Sequence, residues 1–241
     1  MTARREIPDV VETAAGLVAK VTAMSQVEPF VFYTEHHLVG LTGRSARNLP
    51  ELLEHLRSVS GSAIFYHTHG LYLRQHFVKP RFYNEFAGWV YQSLQEQRLA
   101  ERIGAIDLLS MTSIRELRES IICQFERHFR DTPSVIRDCR EGDEFHFCEA
   151  KSFVVKSGIV ADTTAEFFRR VTTISNASIY FHVFESRLRL ERPTNDFSLW
   201  LNGMGEMRLA RAIDKLDPYA VSLDQLKARI GQIGRRTAGR S

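Results

Sequence analysis

No run in this 241-residue chain approaches the roughly 18 to 20 consecutive apolar residues that a membrane helix needs. The opening "MTARREIPDVVETAAG" has neither the apolar block nor the cleavage site of a signal peptide, so a cytoplasmic protein with no membrane contact is expected. Cysteine is scarce: Cys123, Cys139 and Cys148 are odd in number and contain no CxxC pair. That count argues against a disulfide framework, a zinc knuckle or cysteine chemistry. Charge of one sign is also lacking, since 32 Lys and Arg against 29 Asp and Glu leave only +3. A phosphate-binding domain concentrates a larger basic excess on one face, so a nucleic-acid partner is not expected. There is no Walker loop, no GxGxxG and no GxSxG, and the carboxylates show no pairing that separates an acid/base couple from a solvated helix face. The Gly-rich "GMGE" at 203–206 occurs once and is weak support for a nucleotide. No cofactor is expected.

What the chain does have is a normal globular composition, 44% hydrophobic and 25% charged, and an internal echo. Shifted by 115 residues, 30–67 lies over 145–182 without a gap, pairing Phe30 with Phe145, Phe32 with Phe147, Gly43 with Gly158, Ile64 with Ile179 and His67 with His182. Slightly shorter offsets align "NEFAGWV" with "NDFSLWL", which matches Asn84 with Asn195, Phe86 with Phe197 and Trp89 with Trp200. They also align "LAERI" with "LARAI" and "SIREL" with "SLDQL".

Helix signals recur at the same places. Asn48 with Glu51, and Thr163 with Glu166, have capping-box spacing, and Gly61 and Asn176 are expected just beyond the ends of those helices. A second helix is expected over about 62–77 and 177–190. Asn84 and Asn195 cap a third, carrying the aromatic core pairs Phe86/Trp89 and Phe197/Trp200 one turn apart. Ser113/Glu116 and Ser222/Gln225 box the start of a final helix in each copy. The leaders "FVFYTEHHLV" and "FHFCEAKSFVV" alternate only in part, and periodicity leaves open whether they are short strands or the start of another helix. The expected class is therefore all-α, two homologous helical-bundle repeats. An amphipathic N-terminal helix spans 1–28, with an apolar stripe of Val10, Val11, Ala14, Leu17, Val18 and Val21. Repeat 1 spans 29–130, a linker 131–143, and repeat 2 144–241. The basic end of repeat 2 complements its own helix dipole.

The most suggestive chemistry is "YHTHG", with His67 and His69 two apart. On a strand the two would share a face, and Glu35, His36 and His37 would be candidate further ligands in a pocket or metal site. On a helix they diverge by about 200°. The echo decides which of them the repeated unit needs: His67 recurs as His182, whereas Phe184 stands for His69. Each repeated histidine follows an Ile by about one helical turn and so faces the core, where its ring needs a partner. Asn84 and Asn195, or the capped turns after them, are candidates, which makes His67, Asn84, His182 and Asn195 structural.

The pattern "YH" or "FH", then "N(D/E)FxxW", then "LA" resembles an uncharacterised domain family of bacteria and archaea that occurs singly or in tandem. The resemblance covers 30–130 and 145–236, with Asn84-Glu85 departing from the usual Asn-Asp. It implies the fold and no established chemistry. The expectation is a non-catalytic binding, adaptor or regulatory accessory protein with a protein partner, reached in one version through the N-terminal helix. The alternative is a small-ligand or metal-binding sensor or enzyme with its pocket around the HTH motif.

Overall fold

Each Phe-x-Phe leader opens a strand of 17 residues, β1 (Phe30–Ala46) and β2 (Phe145–Ala161), and the two pair antiparallel as a ribbon. The computed structural model describes residues 27–75, 81–132, 136–191 and 193–238. Residues 1–26, most of the expected N-terminal helix, lie outside the described residues. After β1 come α1 (Leu49–Ser58), α2 (Gly61–His67), α3 (His69–Gln75), α4 (Glu85–Gln92), α5 (Gln97–Gly104) and α6 (Ile114–Asp131). After β2 come α7 (Thr164–Val171), α8 (Asn176–Tyr180), a π-helical turn (Phe181–Glu185), α9 (Ser186–Leu190), α10 (Asp196–Gly203), α11 (Met207–Asp214) and α12 (Leu223–Ala238).

The all-α expectation is thus wrong: the fold combines helices with a two-stranded antiparallel sheet, and the leaders are long strands. Helical patterning missed them because much of the ribbon's middle is exposed, from Leu38 on β1 and from Phe153 to Val155 on β2. A strand that faces solvent on both sides has no reason to alternate apolar with polar residues.

Register follows from local chemistry at two bulges. Gly43 and Gly158 both adopt φ +75°, which glycine tolerates without a Cβ clash, and each sits where the pairing slips. Beside them the Thr42 hydroxyl donates to the Phe147 carbonyl and the Ser157 hydroxyl to the Phe32 carbonyl, both at 2.8 Å. Between the bulges His37 stands opposite Ser152, two residues 115 apart.

The ribbon feeds two hydrophobic cores crosswise. Phe145 and Phe147, from β2, pack among Leu52, Ile64, Phe86, Leu99, Ile121 and Phe125 of the first half. Phe30 and Phe32, from β1, pack among Phe167, Ile179, Phe197, Leu209 and Ile230 of the second. Each buried Phe is worth about 1.5–3 kcal/mol, so the crossing ties each core to the other half's strand.

The capping boxes form at the predicted spacing. Glu51 N–H donates to Asn48 Oδ1 at 3.0 Å, and Glu166 N–H donates to Thr163 Oγ1 at 3.2 Å. Glu116 N–H donates to Ser113 Oγ at 3.1 Å, and Gln225 N–H donates to Ser222 Oγ at 3.2 Å. Two details differ from expectation. Gly61 and Asn176 do not end a helix but begin α2 and α8, behind the N-caps Ser60 and Ser175. The single helix expected over 62–77 breaks at Thr68, whose hydroxyl turns back to the Ile64 carbonyl at 2.6 Å. Among the described residues no helix is long and apolar enough to cross a membrane.

Candidate functional site

His67 closes α2 with its ring almost wholly buried against Phe86 and Phe145. Its Nε2 accepts the Cys148 backbone N–H of β2 at 2.9 Å, and its Nδ1–H donates to Glu85, the first residue of α4, at 2.5 Å. In the second half the His182 Nε2 accepts the Tyr33 backbone N–H of β1 at 2.9 Å, and Nδ1–H donates to Asp196 at 2.8 Å. A backbone N–H can only donate, so each Nε2 presents its lone pair and each ring is the neutral Nδ1–H form. Each histidine is a latch from its helical turn to a strand and to the first turn of α4 or α10. The strand also gains a partner there, since the Ser178 hydroxyl donates to the Tyr33 carbonyl at 2.6 Å. These contacts pair backbone groups on strand edges that would otherwise stand open.

Glu85 is further held by Arg74, whose Nη2 lies 2.6 Å from it while the guanidinium stacks 3.7 Å above the Tyr66 ring. Burial pushes the Glu85 carboxyl up, but the His67 hydrogen bond and the Arg74 charge outweigh it and hold the group below the usual carboxylate range.

Asn84 and Asn195, the expected histidine partners, instead cap α4 and α10 through Ala87 N–H at 3.2 Å and Ser198 N–H at 3.0 Å. The partners are the acids immediately after them, Glu85 and Asp196, which open the capped turns expected as the other candidates, though sequence alone did not single out either acid. The signal was visible as an acid just after the capping asparagine in both halves, but a carboxylate in a helix's first turn already has a reason to be there.

The candidate pocket of Glu35, His36, His37, His67 and His69 does not assemble as a single site. His67 is committed to its latch. His69 opens α3, buried, with its ring stacked on Phe65 at 6.0 Å. Burial lowers its pKa to about 4. Glu35 and His37 share a face of β1, with His37 Nε2 3.2 Å from the buried Glu35 carboxylate and Nδ1 2.9 Å from the Ser152 hydroxyl. Burial pushes the His37 pKa down, partly offset by the Glu185 charge. His36, adjacent on the strand, is exposed and directed to the opposite face, as the period of two requires. Among the described residues no three His, Cys, Asp or Glu side chains are grouped as metal ligands would be.

The aromatic pairs sit at the ends of the ribbon. Phe86 and Phe197 are fully buried. The Trp89 indole N–H donates to the Asp143 carbonyl at 2.6 Å and that of Trp200 to the Glu28 carbonyl at 2.8 Å, just ahead of the start of β2 and β1 respectively.

A family model described as a family of unknown function (DUF5752) matches residues 27–235. Among solved structures the chain is similar to OrfY from Thermoproteus tenax, with 28% identity and a TM-score of 0.76 over 89% of this chain and 98% of that one. No protein with a curated description matches.

Proposed function

We propose, for a chain that belongs to the DUF5752 family of unknown function, a non-catalytic role as an adaptor or regulatory accessory protein that binds a protein partner. The observation that carries this reading is the apolar surface left open on the ribbon. Leu38, Phe153 and Val155 lie on one face, and Val39, Leu41 and Val154 on the other, with Leu41 exposed to 78% and Leu38 to 64%. Contiguous apolar surface of this kind marks an interaction site more often than an accident of composition. Polar neighbours such as His36 and Lys151 on the same strands suit a polar rim. The commitment of both nitrogens of His67 and of His182 argues in the same direction, because neither ring has a lone pair or proton to offer a substrate without undoing a latch.

The same reading takes the chain as a tandem duplication in which each copy bears the histidine, N(D/E)FxxW and LA pattern. Its support is that latch, bulge and indole contact all recur at residues 115 or a few fewer apart. It also places the protein in the cytoplasm, where Cys123, Cys139 and Cys148, all free, would stay reduced. The alternative, a ligand or metal pocket around the HTH motif, would need His67 to leave its latch and His36 to turn from the opposite face of β1.

The test uses the full chain as bait in extract of its source organism. It counts only a captured protein that, once purified, forms a stoichiometric complex by calorimetry. Leu38→Lys with Phe153→Lys should weaken that complex at least tenfold and leave the melting temperature unchanged. A complex indifferent to the ribbon substitutions would remove the carrying observation.

A further inference from the structure

A groove of about 570 Å³ runs between α7, α11 and α12, floored by Ala165, Phe168 and Leu209 and walled by Gly231 and Gly234. The two glycines let α12 press against α7: a Cβ on Gly234 would lie 2.3 Å from the Phe168 ring, and one on Gly231 2.8 Å from the Thr172 methyl. In the first half, the 109-residue offset that matches Ser222 with Ser113 puts Ile122 and Phe125 at these positions.

The first half also shows what covers such a surface. There the chain entering β2 runs back over α1, with the Cys139 N–H donating to the Arg47 carbonyl at 2.7 Å. Ile136, Arg137 and Phe129 close the stretch beside Leu49 and Glu96 to about 20 Å³. An open hollow remains on the far side, at Pro50, Leu53 and Arg57.

The chain entering β1 has the same anchor as the chain entering β2. The Trp200 indole holds the Glu28 carbonyl as that of Trp89 holds the Asp143 carbonyl, and residues 28 and 143 are 115 apart. Val27 packs 3.5 Å from where a Gly203 Cβ would sit, and Gly203 is three residues before Glu206 on the groove's edge. Counting back by 115, Ile136, Arg137 and Cys139 correspond to Val21, Thr22 and Met24.

We infer that the segment ahead of Val27, whose apolar residues include Leu17, Val18, Val21 and Met24, is the occupant of this groove. The chain's own N-terminal segment is thus an intramolecular strap on the second half, the counterpart of the linker on the first. It takes a site with an apolar floor whose edge, at Glu206, is three residues along the chain from Gly203, against which Val27 packs.

Hydrogen exchange on the full chain tests this. Amides of residues 15–26 should exchange at least tenfold more slowly than in a free peptide of that sequence. In Val21→Glu/Met24→Glu that protection should vanish, with faster exchange in α7 and α11 and none of the change in α1. Both substitutions lie outside the described fold, and glutamate keeps helix propensity, so a loss of protection reads as loss of docking. Free-peptide exchange of residues 15–26 in the unmodified chain would overturn the inference. So would protection that appears only as protein concentration rises, which would assign the groove to a second copy.

Discussion

A histidine that accepts a backbone N–H through Nε2 and donates through Nδ1 cannot take up a proton without breaking the first bond, so a proton on His67 or His182 would release its strand. His67→Ala or His182→Ala should each cost about 1 to 3 kcal/mol in urea unfolding, because a strand N–H and a carboxylate are left unpaired. An unchanged midpoint in either would dismiss the latch. His69 behaves differently. Its pKa is near 4 in the fold and 6.5 without it, so the unfolded chain binds the proton first. Stability is therefore complete above pH about 6.5 and declines by about 3 kcal/mol as pH falls toward 4. His69→Phe, which copies Phe184, should fold and flatten the melting-temperature profile between pH 6.5 and 4. An equally steep profile in that variant would place the acid sensitivity elsewhere. Glu85, whose carboxyl is held low, adds a separate loss only below the ordinary carboxylate range. The choice between His67 and His69 was legible in the sequence because only one recurs. The acid that binds the ring was not, because its helix cap already explained it.

At the scale of the element, the bulge glycines carry the clearest consequence. Nothing lies within 4 Å of where a Cβ on Gly43 or Gly158 would sit, so substitution there meets no steric block except the backbone's own. Gly43→Val and Gly158→Val should each cost about 2 kcal/mol through the positive φ alone, and Gly43→Asn less. Equal losses for Val and Asn would mean that something other than φ sets the cost. Capping boxes were readable because they depend on residues three apart, which sequence displays directly. The strands were not, because β1 and β2 pair across about a hundred residues or more and expose much of their middle, so neither local spacing nor apolar alternation announces them.

Across the whole molecule, each core takes two phenylalanines from the strand that belongs, in sequence, to the other half. Neither half can lose its packing without stripping the other, so unfolding should be one cooperative transition. Trp89 lies in the first half and Trp200 in the second, which makes Trp89→Phe and Trp200→Phe a pair of single-probe reporters. Once each variant's own stability change is subtracted, the two fluorescence midpoints should coincide with that from circular dichroism. Two separated transitions would show that the crossed strands do not couple the halves. Phe147→Ala should lower both reporters together, by about 3 to 5 kcal/mol.

Sequence by itself determined the helix starts, the core-facing histidines, the aromatic pairs and the 115-residue echo, because each is a local pattern or a comparison of the chain with itself. Only the tertiary structure decided that the echoing leaders pair with one another, that the two phenylalanines opening each strand serve the opposite core and that the acids after Asn84 and Asn195 close the latches. Those are contacts between segments 14 to 149 residues apart, and the entropy of closing such loops is repaid by burial that no single segment encodes.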